Sequence, residues 1–497
     1  MGHQSWCDCN AKCIRKWAVA NLLLLLTLIG VVVGFLLVLI LRPLGPSPDV
    51  IMWIGMPGEL FLRGLEMTII PLLASTVITA VASLELKENG RMAAGAFGFF
   101  ITSTSMGVAT GIFVTALISP GQRAVADGNV QSGAEITHYQ TQDVFADLLR
   151  NLIPSNIIRA CFQSTFTKYD TQIEDGSNGT STIVTKQLAM TNRTNIMGVV
   201  IFCIACGMAM SVERAKTKPM LDFMWAVRTV IFKIFGAFIW SLPVATASLI
   251  AASLLNVEDL FLVEEELGMF VATVTVVLTI HFCATIPAIY FMVTRKNAFT
   301  VYAAVNKAII TSMVIKSGAG ALPIMMKSCE SPPAKFHRNV VSFVLPLCIC
   351  FKGDASASFI MCSVLWLGQR AGIFMSLPQL IALGIMSTFL CLCIPPVPSA
   401  SMVIIILICN SVGVPTHDIG LLLALEWLHD SLRTGVNNGS HAMCAATVHH
   451  IMRKHLAIKE SQDLKQVNAT DHHMREVIVD GYSDSEKEHK PLMSQQY

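Results

Sequence analysis

The chain has 497 residues, of which 53% are hydrophobic and 14% are charged, and its mean hydropathy is +0.60. A soluble protein needs more charged surface than this, so the composition excludes that class. The net charge of +2 implies no acidic partner, and no basic cluster interleaved with aromatic residues supports nucleic-acid binding. Because the apolar residues stand in long blocks and a spanning helix takes about 20 of them, we predict a polytopic membrane protein.

The first predicted span covers residues 18–41, and three basic residues precede it, so we expect a cytoplasmic N-terminus. Further spans are predicted at about 60–84, 92–118, 195–213, 223–255 and 267–294. The loops then assigned to the inside are basic, whereas the outer loop at 256–266 is acidic. This positive-inside bias supports the threading. The long polar stretch 119–194 falls outside and carries two glycosylation sequons, at Asn178 and Asn192.

The second half of the chain is less regular. Residues 306–327 are apolar around Gly318 and Pro323, and they resemble two half-helices that meet at a tip. Residues 339–367 are long enough to span once, and the proline-interrupted stretch 377–413 suits a hairpin. Paired, interrupted apolar segments indicate the binding site of a transporter. The alternative is a pair of proline-kinked ordinary spans. The last span is predicted at about 416–450, followed by a polar tail.

Charged residues inside spans mark the candidate site, because each costs roughly 2.5–3.5 kcal/mol to insert. Asp430 and Arg433 are three residues apart and share a helix face that Thr434 and Asn437 extend. Asp430 suits the ammonium of an amino acid, and Arg433 suits a carboxylate through two parallel hydrogen bonds. The alternative is an ion pair that joins helices and binds no substrate.

A second candidate is a cation site around Asp354, in the middle of a span. Alkali ions prefer hard oxygen ligands, so Asp354 is a possible Na+ ligand. Lys352, two residues earlier, offers the opposite interpretation, in which its ammonium neutralises Asp354 permanently. Thr102 and Ser103 offer hydroxyls on the third span, although such residues often serve helix packing. The 15 cysteines show no zinc spacing, and we expect no cofactor.

Over about residues 20–455 the chain resembles the excitatory amino-acid transporters, the glutamate/aspartate:cation symporters. The resemblance is clearest in the segments DVFADLLRNLIPSNIIRACF (143–162), ELGMF (266–270), PAIYFMVTRKNAF (287–299), SFVLPL (342–347), SVGVPTHDI (411–419) and LEWLHDSLRT (425–434). It implies an all-α protein of eight spans and two re-entrant hairpins, assembled as a homotrimer, in which a transport domain moves like an elevator. The implied divisions are a cytoplasmic N-terminus (1–17), scaffold spans (18–90 and 195–260), a transport domain (91–118 and 261–455), an extracellular glycosylated loop (119–194) and a cytoplasmic tail (456–497).

The resemblance also implies roles for the motif D-x-x-R-T-x-x-N of the last span. Asp430 is expected to bind the amino group of the substrate, Asn437 its backbone carboxylate and Arg433 its side-chain carboxylate, and Thr434 belongs to the same site. The arginine marks the branch of the family that carries acidic substrates. We add to this site Ser317, at the first hairpin tip, and Ser356, in the seventh span.

Several cation-binding positions of the family are changed here. Where the family has N-M-D-G-T in the seventh span, this chain reads Lys352-Gly353-Asp354-Ala355-Ser356. An aspartate that binds sodium in the family aligns with His441, and the proton-carrying glutamate aligns with Ile360. A sodium ion about 4 Å from the Lys352 ammonium meets a repulsion of roughly 4 kcal/mol at an effective dielectric constant of 20. That repulsion weakens binding about a thousandfold.

These observations favour a plasma-membrane symporter of L-glutamate and L-aspartate with altered cation coupling. Its expected partners are the amino acid, inorganic ions, membrane lipid and two further copies of the chain. Two alternatives stay open on the same fold: an anion-conducting protein, and a non-transporting relative that assembles with active paralogues. No catalytic constellation supports an enzyme.

Overall fold

The computed structural model describes the backbone of residues 19, 22–83, 86–122, 141–176, 179–255, 260–391 and 400–488. Most of these residues are helical, as expected from the sequence. The helices are α1 (Leu22–Leu41), α2 (Pro48–Ala82), α3 (Leu86–Ile118), α4 (Thr141–Leu152), α5 (Ile157–Ala160), α6 (Ile196–Val212), α7 (Arg214–Ile239), α8 (Leu242–Leu255), α9 (Leu260–Ile280), α10 (Ile286–Thr294), α11 (Phe299–Ile315), α12 (Gly318–Glu330), α13 (Arg338–Phe351), α14 (Asp354–Arg370), α15 (Leu377–Cys391), α16 (Ala400–Val412) and α17 (Ile419–Glu488). A π-helical turn, His281–Thr285, joins α9 to α10.

The described residues contain five helical stretches that are long and apolar enough to cross a bilayer: Leu22–Leu44, Pro48–Ala82, Gly90–Ile118, Phe261–Thr294 and Arg338–Arg370. A sixth arises if α7 and α8, which meet at an angle of 52°, form one bent span. The membrane-protein class is therefore confirmed, and the count of eight spans stays a prediction.

The helices pack in two groups. In the first, α8 lies against α1 and α2, and α2 also contacts α6 and α7. The second surrounds the first part of α17, which contacts α3, α11, α13 and α14. α3 additionally packs along α14, α9 and α15. The two groups meet where α8 touches α17 and where α2 touches α16.

The first interrupted segment has the form that the sequence predicts. α11 and α12 pack against each other as two half-helices. The chain reverses between them at Lys316, which adopts a left-handed conformation with φ 51°. Ser317 then caps α12, because its side chain accepts a hydrogen bond of 3.0 Å from the backbone N–H of Gly320. In the second interrupted segment, α15 and α16 flank residues 392–399, so the tip prolines lie outside the described residues.

The stretch 339–367, predicted as one span, is broken. α13 ends at Phe351 and α14 begins at Asp354. Between them Lys352 is extended, with φ −117° and ψ 100°, and Gly353 has φ −126° and ψ 51°. Backbone that is not helical at membrane depth is tolerated where protein surrounds it. Both Lys352 and Asp354 are buried, so this break lies inside the second helix group.

The polar stretch 119–194 contains more regular structure than its composition indicates. Two antiparallel strands, β1 (Ser164–Gly176) and β2 (Gly179–Thr191), form a hairpin with Ser164 opposite Thr191. α4 packs against β1, where the carboxylate of Asp147 accepts hydrogen bonds from the backbone N–H and the hydroxyl of Thr167, at 2.6 and 2.8 Å. The all-α expectation therefore does not extend to this region.

The contact between α1 and α8 depends on Gly30. A Cβ placed at Gly30 would lie 2.2 Å from the carbonyl oxygen of Pro243, and a backbone atom has little room to move away. We expect Gly30→Ala to destabilise the protein by about 1–3 kcal/mol through overpacking. Thermal unfolding of the purified protein checks this. Gly236→Ala on α7, where a Cβ meets nothing within 4 Å, serves as the control and leaves the melting temperature unchanged or raises it.

Candidate functional site

The centre of the site is the carboxylate of Asp354, at the first residue of α14. It is fully buried and accepts hydrogen bonds from the ammonium of Lys352 and from the hydroxyl of Ser440, the latter at 2.6 Å. Nε2 of His281, in the π-helical turn, lies 3.1 Å from the same carboxylate oxygen. Four chain segments therefore meet at one buried charge: the break before α14, α14 itself, α17 and the π turn.

Three contacts besides the ion pair fix the position of Lys352. Its Nζ also donates to the hydroxyl of Ser440 and lies 5.3 Å from the centre of the Phe99 ring, a cation–π contact. Its carbonyl oxygen lies 2.9 Å from Nε2 of His441. Because a carbonyl oxygen only accepts hydrogen bonds, Nε2 of His441 carries the hydrogen. A buried charge needs a partner of opposite charge, and Lys352 and Asp354 supply this to each other.

Sodium does not fit the Asp354 oxygen that Lys352 occupies. That oxygen faces an ammonium, a hydroxyl hydrogen and an imidazole nitrogen, whereas sodium takes oxygen ligands that donate lone pairs. Of the two interpretations of Lys352 and Asp354 drawn from the sequence, the geometry matches the internal ion pair. The described residues also contain no group of three or more His, Cys, Asp or Glu side chains that could hold a metal.

Asn437 joins the last helix to this centre. Its side-chain oxygen accepts a hydrogen bond of 3.0 Å from the backbone N–H of Ala355, and its nitrogen donates one of 3.2 Å to the hydroxyl of Ser356. Thr434, one turn earlier, donates to the backbone carbonyl of Asp430 at 2.7 Å. The motif on α17 and the first turn of α14 thus form one continuous polar surface.

Arg433 is the largest buried charge of this surface, with 2% of its side chain exposed. Its guanidinium donates to Glu426 at 2.7 Å, to Asp430 at 3.2 Å and to the hydroxyl of Ser401 on α16. It also lies 4.2 Å from the centre of the Phe359 ring. Two carboxylates face one guanidinium, so the group carries a net negative charge when both are ionised.

Asp430 has the most exposed side chain of this group. Its side chain is 21% exposed, against 6% for Glu426 and 2% for Arg433. The first hairpin tip lies beside it, since Nζ of Lys316 donates to the carbonyl of Trp427 at 2.6 Å. The tip also approaches α17 closely at Gly318, where a Cβ would lie 3.1 Å from the side-chain nitrogen of Asn438. Ser317, the neighbour of Gly318 at this tip, caps α12.

Other predicted site residues are not joined to this surface. Thr102 is exposed and donates to the carbonyl of Gly98 at 2.8 Å. Ser103 is buried and donates to the carbonyl of Phe100 at 3.3 Å. Their hydroxyls thus bond to their own helix. Asn192 is exposed, whereas Asn178 lies outside the described residues.

The sequence analysis did not find His281, Ser440, Glu426 or Ser401 as members of the site. A histidine inside an apolar span is itself a signal of function, because ionisable residues there are costly. His281 stands in such a run and is fully buried. The partners Glu426 and Ser440 lie on the same helix as Arg433 and Asn437, where α-helical spacing brings them to the same face.

Broken helices that place buried charges and hydrogen-bonding groups inside a polytopic helical protein define a secondary transporter. Residues 22–451 match the model of the sodium:dicarboxylate symporter family, and the chain belongs to this family. It is therefore a transport protein and not an enzyme.

Curated relatives align with 89% of this chain. It is 32% identical to excitatory amino acid transporter 2 of Homo sapiens, over 89% of this chain and 81% of the relative. It is 32% identical to the putative sodium-dependent excitatory amino acid transporter glt-3 of Caenorhabditis elegans, over 89% and 84%. An excitatory amino acid transporter of Onchocerca volvulus is also 32% identical, over 89% and 92%.

The ion pair of Lys352 and Asp354 predicts a stability effect. We expect Lys352→Met to destabilise the protein by about 3–5 kcal/mol, because it leaves a buried carboxylate without its partner. Thermal unfolding in detergent checks this. The double variant Lys352→Met/Asp354→Asn should recover most of the loss, and Lys307→Met, at an exposed position on α11, should change nothing. A Lys352→Met protein that melts like the wild type contradicts the argument.

Proposed function

We propose that this chain carries L-glutamate and L-aspartate across the plasma membrane as a secondary transporter with altered cation coupling. The observation that supports it most directly is the buried group of Arg433, Glu426 and Asp430 beside Asn437. An acidic amino acid has one ammonium and two carboxylates. The carboxylates of the group accept hydrogen bonds from the ammonium, and Arg433 and Asn437 donate hydrogen bonds to the carboxylates, all within one polar surface.

Each charge of the substrate has a partner in this proposal. Asp430, the most exposed carboxylate of the group, binds the ammonium. Arg433 exchanges its contacts with Ser401 and Asp430 for the side-chain carboxylate, which a guanidinium binds through two parallel hydrogen bonds. Asn437 and the hydroxyls of Thr434, Ser317 and Ser356 bind the backbone carboxylate, helped by the N-terminus of α14, which favours anions.

The two helix groups support a division into a scaffold and a transport domain. The first group, with α1, α2, α6, α7 and α8, is the proposed scaffold, and the second carries the site residues. In this arrangement the second group moves across the membrane within a homotrimer, both termini lie in the cytoplasm, and the stretch 119–194 is extracellular. The exposure of Asn192 supports its glycosylation there.

Cation coupling differs from that of the family because the chain provides its own cation. The ammonium of Lys352 donates a hydrogen bond to Asp354, and the N–H of His441 donates one to the carbonyl oxygen of Lys352. These are positions where the resemblance places sodium ligands. We propose that Lys352 stands in for the bound sodium charge, so that substrate crosses by exchange or facilitated diffusion without requiring sodium.

The same observation favours a second candidate. A cation that is part of the chain cannot be released, so the cycle of binding and release that drives symport is impaired. An anion-conducting protein, or a non-transporting partner of active paralogues, requires no such cycle. An anion-conducting protein or a non-transporting partner would not accumulate labelled substrate, whereas an acidic amino-acid transporter would.

Uptake of labelled L-glutamate and L-aspartate tests the proposal. Cells that express the chain should accumulate both, and Arg433→Gln should lower uptake at least 30-fold, because losing one partner of a buried charge pair costs about 2–5 kcal/mol. Arg63→Gln, at an exposed arginine on α2, is the control. Absence of uptake by the wild type, with the protein confirmed at the cell surface, contradicts acidic amino-acid transport and leaves the second candidate.

Replacing sodium by choline tests the role of Lys352. We expect wild-type uptake to persist in choline with at most a several-fold loss. Lys352→Asn, which removes the ammonium and offers an amide oxygen beside Asp354, should make uptake depend strongly on sodium. Wild-type uptake that choline abolishes contradicts the replacement of a sodium ion, and so does a Lys352→Asn protein that remains indifferent to sodium.

A further inference from the structure

The proposed substrate and the group of side chains proposed to bind it carry charge of the same sign. Asp430 and Glu426 face the single guanidinium of Arg433, so this group has one net negative charge when both carboxylates are ionised. L-Glutamate and L-aspartate also have one net negative charge at neutral pH. Lys352 does not offset this charge, because Asp354 already pairs with it. Like charges repel, and a further cation beside Asp430 removes the repulsion.

Lys316 places its ammonium beside this group. It lies at the tip of the first interrupted segment, between α11 and α12, and its Nζ donates a hydrogen bond of 2.6 Å to the backbone carbonyl of Trp427 on α17. The carbonyl of a helical residue points toward the N–H four positions later, so the ammonium lies level with Asp430 and Ser431. An ammonium has three N–H groups, and the bond to Trp427 uses one of them.

Two further contacts hold α11 against the same part of α17. The hydroxyl of Ser431 donates a hydrogen bond of 2.7 Å to the carbonyl of Met313. A Cβ at Gly435 would lie 2.3 Å from the side chain of Met313, so the two helices approach closely there. Trp427, Ser431 and Gly435 are spaced by four residues and share one face of α17. The position of Lys316 beside α17 therefore follows from several contacts and not from its own hydrogen bond alone.

The backbone at Lys316 has a conformation that a lysine rarely adopts. The residue has φ 51° and ψ 37° at the end of α11, where its N–H bonds to the carbonyl of Ser312. Glycine, and sometimes asparagine, usually occupies a left-handed position at the end of a helix. Residues with strained backbone are found preferentially at functional sites. The turn itself does not require a lysine, so the long charged side chain needs an explanation of its own.

We propose that Lys316 determines the preference of the site for acidic over neutral amino acids, an inference that rests on the proposed function. Its positive charge offsets the excess negative charge of the group of Arg433, Glu426 and Asp430, so an acidic substrate meets a site with no net charge. The two N–H groups that Trp427 does not use are donors for a substrate carboxylate. A neutral amino acid gains no such attraction.

Binding of L-aspartate and L-asparagine to the purified full chain, measured by isothermal titration calorimetry, tests this proposal. The two ligands differ by one charge. The variants Lys316→Asn and Lys316→Asp have side chains of the same size, and both residue types tolerate a left-handed backbone. We expect the first to bind L-aspartate about tenfold more weakly and the second about a hundredfold, because each removes one more unit of positive charge. L-Asparagine binding should change less than about threefold, and Lys316→Arg should bind both ligands like the wild type.

A charge-matched control and a stability measurement separate this role from simple support of the tip. Lys307→Gln, at an exposed position on α11, removes the same charge away from the tip and should bind both ligands like the wild type. Lys316→Asn should melt no lower than the wild type, because asparagine suits a left-handed backbone. A lower melting temperature with equal losses for both ligands contradicts the proposal.

The remaining outcomes separate this inference from the proposed function. A Lys316→Asn protein that binds L-aspartate like the wild type overturns the inference alone, and so do equal affinities of Lys316→Asn and Lys316→Asp for L-aspartate. A wild type that binds neither L-aspartate nor L-glutamate overturns the proposed function, and the inference with it.

Discussion

The ion pair between Lys352 and Asp354 is the contact on which the arrangement of the site depends. It lies where α13 and α14 separate, and a break of this kind exposes backbone groups that need partners within the protein. The ammonium, the hydroxyl of Ser440 and the imidazoles of His281 and His441 surround the break. α17 and the π-helical turn are thereby held against α14, and the polar surface of Asp430, Arg433 and Asn437 is built on that contact.

The central ion pair and the outer polar surface perform different tasks. Around Asp354 the charges of the chain pair with each other, and Lys352 and Asp354 are buried. Around Asp430 it leaves a carboxylate partly open and lets Arg433 share two carboxylates. A buried ion pair with no free partner makes the site rigid. A guanidinium group that faces two carboxylates, one of them partly exposed, can give up one of its contacts and bind a ligand instead. Family membership and this contrast both support the proposal that the α17 motif binds substrate.

The sequence predicted the elements whose signals are local, such as the first hairpin tip with its Gly318 and Pro323, and the helical spacing that puts Asp430, Arg433 and Asn437 on one face. It did not predict the break at Lys352, because hydropathy counts apolar residues and is blind to backbone angles. His281 was missed because its partner lies 73 positions away. The strands β1 and β2 were missed because their apolar residues, such as Phe166, Ile183 and Leu188, do not follow a regular alternation.

The hydrogen bond from Arg433 to Ser401 fastens the second arm of the second interrupted segment to α17. The guanidinium that is proposed to bind the substrate therefore also holds α16 in place. One side chain then both binds the substrate and fastens α16, so a substitution at Arg433 changes both contacts at once. A lineage that changes the substrate here must also find a new fastening for α16.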